Sequence, residues 1–238
     1  MTNLRRSWLR LALTWPVVWA IGYRLLASNW PYANRWLLLS GLTLAYCLWL
    51  LWRFLPNNHR VGETAVLPTL GLGNRLTLLR GLGIGLLAGF LFSPWPQGSL
   101  AWVIALLYTA VSIADYFDGY IARKTNHATV LGSRLDMEFD GLGVLVVSLL
   151  AIGYGQLPWW FLSIGLARYL FVWGLWWRDR RGLPIFDIPP SVQRRILAGA
   201  QMGLLTVVLW PIVPAPMAII GGTIVAVPTL FGFGREQR

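Results

Sequence analysis

Long apolar runs broken by short polar connections dominate this 238-residue chain. A helical crossing of a bilayer takes about 20 residues, and eight runs reach that length, near 7–27, 36–55, 74–93, 98–117, 135–154, 157–177, 192–210 and 212–230. The pattern predicts an all-α integral membrane protein of about eight transmembrane helices. Residues 1–58 read as an N-terminal two-span hairpin, 59–73 as a cytoplasmic linker or interfacial segment, and 74–238 as a six-span domain. Short connections suit antiparallel neighbours packed as a bundle. Gly81, Gly83, Gly85 and Gly89, with Gly141 and Gly143, predict close helix approach. The first run follows Arg5, Arg6 and Arg10 as in a secretory signal, but its length, its internal Trp15 and Pro16 and the lack of an Ala-x-Ala site favour a retained span.

Composition agrees: 56% hydrophobic residues, 15 Trp and only 12% charged residues lie outside the soluble class. A net charge of +11 would suggest nucleic acid in a soluble protein, but the basic residues are nearly all Arg and sit between apolar runs rather than on one face. They fit a membrane surface and no nucleic acid. Cys47 is the single cysteine, which excludes an intramolecular disulfide, and it is expected to pack as a small hydrophobe.

Loop charge then predicts orientation. Arg5, Arg6 and Arg10, Arg53 and Arg60, Arg123, Lys124 and Arg134, Arg178, Arg180 and Arg181, and Arg235 and Arg238 fall in alternate connections or termini. By the positive-inside rule these are cytoplasmic, so both termini face inward, as in a multi-pass protein of the cell (inner) membrane. Connections 93–99, 155–158 and 211–216 carry no Lys or Arg. Arg24 and Arg35 are exceptions that can snorkel to the outer interface.

Five of the nine acidic residues fall between Asp115 and Asp140. Carboxylates are costly in a bilayer and persist where they face a cavity, partner or metal. Asp115, Asp118, Gly119 and Ala122 share a face at the end of one span, and Gly132, Asp136 and Asp140 share one at the start of the next. If 123–131 folds back as a short turn, four carboxylates converge, and they cannot all stay ionised without cations. All-oxygen ligation points to Mg²⁺ or Mn²⁺, and four carboxylates suit two such ions, a device for clamping attacking and leaving oxygens in phosphoryl displacement. Gly119 and Gly132 would let a nucleotide approach the backbone, and Arg123 offers a planar cation to phosphate oxygens.

The run Asp115-x₂-Asp118-Gly119-x₂-Ala122-Arg123-x₈-Gly132-x₃-Asp136-x₃-Asp140 resembles, at all eight fixed positions, the signature of the CDP-alcohol phosphotransferase (CDP-alcohol phosphatidyltransferase) family. The resemblance covers about 70–230, a six-helix core, and leaves out the hairpin. Asn74, Leu76, Thr77 and Arg80 resemble the Asn-x-Leu-Thr-x-x-Arg opening of the family's first core helix, with Gly73 in place of the usual Pro. Gln201, after Arg194 and Arg195, is similar more loosely to a stretch of the fifth core helix.

The resemblance implies transfer of a substituted phosphate from a CDP-alcohol, most often CDP-diacylglycerol, to the hydroxyl of a small alcohol or alcohol phosphate. CMP is released, and the reaction belongs to phospholipid biosynthesis. It implies Asp115, Asp118 and Asp136 as metal ligands, with Asp140 completing the metal site and acting as catalytic base. Asn74, Thr77, Gly119, Ala122, Arg123 and Gly132 would bind the CDP-alcohol. A homodimer is implied as well.

Arg168 lies mid-span, which makes it a functional candidate. It is expected either to pair with an Asp of the site or to bind the acceptor, together with Arg178, Arg194 and Arg195, a set that suits a phosphate-bearing acceptor. Glu138 is expected to point away from the carboxylate face into a solvated or interfacial position, and His127 to be a surface residue.

Two other classes compete. An intramembrane Mg²⁺-dependent prenyltransferase would carry Asp-rich motifs on well-separated helices, whereas Asp179 and Asp187 are isolated here. A divalent-cation transporter would place polar groups near the midplane in repeated halves, and this cluster is not repeated.

Overall fold

The computed structural model describes residues 2–184 and 192–235, with side chains for 2–184 and 196–228. The described residues form eight α-helices: α1 (Thr2–Ala27), α2 (Ala33–Phe54), α3 (Gly71–Ala88), α4 (Ser99–Lys124), α5 (Val130–Gly153), α6 (Leu162–Arg180), α7 (Val192–Val208) and α8 (Ala215–Arg235). Each expected run falls on one of them. The differences that bear on the site lie at the acidic ends: α4 continues past 117 to Lys124, and α5 begins at Val130 rather than near 135; elsewhere α1 begins at Thr2 rather than 7, α3 ends at Ala88 rather than 93, and α6 begins at Leu162 rather than 157. Charged residues end a hydropathy run but do not interrupt the backbone ladder, so the aspartates sit inside helices.

Two segments, Ala33–Asn57 and Ser99–Lys124, are long and apolar enough by themselves to cross a bilayer. Outward-facing side chains are nonetheless apolar on other helices too, including Leu13, Leu25, Leu170, Ile196 and Ile224. Such an exterior suits lipid rather than water.

Helix α3 is the hub, packed against α2, α4 and α5. Its glycines permit this. A Cβ on Gly81 would meet the Phe139 ring of α5 at 2.7 Å, and one on Gly83 would meet Val111 of α4 at 2.5 Å, while Gly85 and Gly89 accept Leu44 and Trp36 of α2. The N-terminal hairpin is thus seated on the core. Its own two helices are tied by indole donors, Trp8 Nε1 to the Leu48 carbonyl at 2.9 Å and Trp19 Nε1 to Ser40 Oγ at 2.9 Å. Cys47 is buried and free, as expected.

The turn joining α4 to α5 sets the site. Asn126, in the left-handed region at φ 51°, ends α4, and the His127 N–H donates to the Ala122 carbonyl at 2.9 Å. Thr129 then caps α5, its Oγ1 accepting from the Gly132 N–H at 3.1 Å. His127 is not a simple surface residue: its ring lies against Gly71, where the positive φ of 71° leads into α3, and its Nε2 donates to the Thr69 carbonyl at 3.1 Å.

Candidate active site

The turn brings the last three turns of α4 and the first turns of α5 together against α3. Asp115, Asp118 and Asp136 each offer a carboxylate oxygen, and these oxygens lie within 4.8 Å of one another. Between the two pairs stands Arg80 of α3, 1% exposed. Its Nη1 donates to Asp118 Oδ2 at 2.8 Å and to Asp136 Oδ1 at 2.6 Å. Its Nη2 faces Asp115 Oδ1 and donates to Asp140 Oδ1. One guanidinium therefore touches all four aspartates, two from each helix. Sequence reasoning had placed Arg80 only within the opening string of a helix and gave it no role. An arginine inside an apolar run was the available signal, the same one that singled out Arg168.

The four carboxylates are not equivalent. Side-chain exposure is 7% for Asp118 and 26% for Asp115, against 42% for Asp136 and 45% for Asp140. Asp118 is held from behind by Thr77, whose Oγ1 donates to Asp118 Oδ2 at 2.8 Å. The open side of the cluster is the α5 side.

Four carboxylates against one guanidinium leave a formal charge of −3 at the site. Dense oxygen donors with that excess suit hard divalent cations, which need several oxygen ligands. The residues present thus fit a divalent-cation centre, with Asp115, Asp118 and Asp136 as the mutually close set.

The expected donor contacts divide into two groups. Gly119, Ala122 and Gly132 are half-buried, Ala122 against Gly73 and Gly132 against Asn74 of α3, and Arg123 is exposed with its Nη1 3.2 Å from where a Gly119 Cβ would sit. Asn74 and Thr77 lie deeper. Both are 3% exposed and bonded inward. Asn74 Nδ2 donates to Thr129 Oγ1 at 3.0 Å and to Asn58 Oδ1 at 3.3 Å, and Asn74 packs against Gly132. The two side chains tie α3 to the start of α5 through Thr129 and to α4 through Asp118.

Arg168 pairs neither with an Asp of the cluster nor with open space. Its Nη2 donates to Glu138 Oε1 at 2.9 Å, and its side chain crosses Gly141, where any Cβ would block it. Glu138 is correspondingly paired and 29% exposed rather than solvated. Arg178 donates to the Pro184 carbonyl at 2.8 Å, while Arg180 and Arg181 lie over Trp176 and Trp177. The side chains of Arg194 and Arg195 lie outside the described residues.

Comparison with known proteins bears on this geometry. A family model described as CDP-alcohol phosphatidyltransferase matches residues 70–232. Among curated proteins, a CDP-diacylglycerol--glycerol-3-phosphate 3-phosphatidyltransferase of Cereibacter sphaeroides is 32% identical over 108 residues, covering 43% of this chain and 47% of the relative. A protein of the same description from Rickettsia bellii is 35% identical over 108 residues, 44% of this chain and 57% of the relative. A Mycobacterium tuberculosis protein named "Putative cardiolipin synthase" is 29% identical over 140 residues, 57% of this chain and 63% of the relative. The chain thus spans between about half and just under two thirds of the length of the curated relatives it matches. No solved structure matches.

Proposed function

Since the chain belongs to the CDP-alcohol phosphatidyltransferase family, a family of transferases, we propose that it transfers the phosphatidyl group of CDP-diacylglycerol to the hydroxyl of a small alcohol and releases CMP. The observation that carries this reading is the convergence of Asp115, Asp118, Asp136 and Asp140, from two helices, on one guanidinium. A structural set of helix-capping carboxylates has no reason to meet at a shared cation. The nucleotide lies along Gly119, Ala122 and Gly132, with Arg123 over the diphosphate.

Asp115, Asp118 and Asp136 would hold the divalent cations, Asp140 completing the set. When bound, such ions would neutralise negative charge on the diphosphate oxygens and make CMP a better leaving group. Asp140, the most exposed of the four carboxylates, takes the proton of the acceptor hydroxyl as its oxygen attacks phosphorus. Thr77 and Arg80 hold Asp118 in place, and Asn74 holds the start of α5 through Thr129. The hydroxyl bond to hydrogen breaks, the new oxygen–phosphorus bond forms, and the bond to CMP breaks.

The acceptor is an alcohol phosphate. Relatives described as using glycerol 3-phosphate support this choice, as does the excess of arginine on the same side of the chain. All eight helices span the cell (inner) membrane with both termini and the site cytoplasmic, the hairpin 1–58 and linker 59–73 preceding a six-span catalytic domain 74–238 that works as a homodimer.

The test is CMP release from CDP-diacylglycerol by the detergent-purified protein, with Mg²⁺ or Mn²⁺, across glycerol 3-phosphate, inositol phosphate, serine and a lipid alcohol. Metal-dependent release with one acceptor supports the reading. No release with any acceptor overturns it.

A further inference from the structure

A second polar feature lies on the side of α3 away from the aspartates. A groove of about 500 Å³ runs between α1, the segment 68–70 and α3. Arg6 and Arg10 of α1 and Arg75 of α3 line it, with Asn3, Ser7 and Thr69 beside them, and its apolar part is Leu11, Trp15, Leu78, Leu79 and Leu82. No acidic residue lines it. Among the described residues none of the three arginines has a carboxylate partner, whereas Arg60, Arg80 and Arg168 all do. Arg5, their neighbour in sequence, is occupied elsewhere, stacked over the Trp52 ring at 5.8 Å.

We propose that this groove binds one anionic phospholipid, its phosphate among Arg6, Arg10 and Arg75 and an acyl chain along Leu11, Trp15 and Leu82. Three exposed arginines lining one groove with no carboxylate among them leave a net positive site for an anion to neutralise, and basic pockets between membrane helices suit lipid head groups. The apolar wall decides between a lipid and a free phosphate. A free phosphate would use the arginines and leave the Leu and Trp wall idle, while a lipid engages both. Arg6 and Arg10 precede the region shared with the family, residues 70–232, so the groove gives the N-terminal hairpin a binding role of its own. It does not depend on the catalytic reading.

The test uses the full chain, delipidated in neutral detergent, and native mass spectrometry with phosphatidic acid or phosphatidylcholine of identical acyl chains. Wild type should retain one phosphatidic acid in preference to phosphatidylcholine. Each of Arg6→Gln, Arg10→Gln and Arg75→Gln should lower that preference about fivefold, and Arg5→Gln should leave it unchanged. All three arginines are exposed, so the single variants should fold. Retention of the full preference in the single variants overturns the proposal. So does an equal loss in Arg5→Gln, which would mark a diffuse charge effect. Complete displacement of the lipid by millimolar inorganic phosphate would assign the site to a free anion instead.

Discussion

Replacing Arg80 with Met should make the stability of the protein depend on divalent cations. Removing one partner from a buried ion pair costs about 3–5 kcal/mol, because the other charge is left without compensation. Here the four partners suffer unequally. Asp136 and Asp140 keep 42% and 45% of their side-chain surface and can be rehydrated, and Asp115 keeps 26%, but Asp118, at 7%, has only Thr77 left. One stranded carboxylate places the loss at the lower end, about 3 kcal/mol. For a chain of this size that corresponds to a fall in the melting midpoint of about 6–12 °C. Cations that bind only the folded site return stability by mass action, about 2.7 kcal/mol at a hundredfold excess over Kd, which nearly offsets the deficit. The assay is thermal unfolding followed by tryptophan emission, in detergent, with chelator and then with saturating Mg²⁺. An Arg80→Met protein that melts with wild type in chelator would refute the hub role of Arg80. A deficit that Mg²⁺ leaves untouched would refute the idea that cations and Arg80 compensate the same carboxylates.

Asp140→Asn should abolish transfer while leaving CDP-alcohol binding partly intact, measured by turnover beside equilibrium binding, and equal loss of both would make Asp140 chiefly a ligand. Arg168→Gln should change stability by at most about 1 kcal/mol, since the Arg168–Glu138 pair is partly exposed, yet raise the acceptor KM more than the donor KM; unchanged acceptor KM would remove Arg168 from the acceptor pocket. Thr129→Ala should cost about 1 kcal/mol through loss of the α5 cap and also lower turnover, because the Asn74 bond that sets the start of α5 goes with it; a stability loss with unaltered turnover would separate the cap from the site. Gly81→Ala should destabilise by about 1–3 kcal/mol by driving a methyl into the Phe139 ring, read as a lower melting midpoint, and a neutral result would mean that α3 and α5 separate easily.

The sequence by itself determined the eight helical runs, the clustering of aspartates and the turn that folds them together. These are local properties: a sustained run of apolar residues, a three-and-four spacing, and a connection of a few residues. Helix ends were less legible, because hydropathy falls at Asp115 and Asp136 while the backbone ladder runs on through them. Only the tertiary structure decided which residues meet across helices. Arg80 stands 35 positions before Asp115, and nothing in its own segment says that its guanidinium lies between α4 and α5. The glycines of α3 hinted at close packing, but not which faces they would admit. Glu138 sits off the Asp136 and Asp140 face and reads as solvated until Arg168 reaches it across Gly141. Asn74 and Thr77 share their motif with Arg80, and only the packing shows that they bond to Thr129 and Asp118. Partner choice for a charged side chain depends on which helices pack and how closely, and that is set by the summed side-chain volumes of α2 to α5, which no short window of sequence contains.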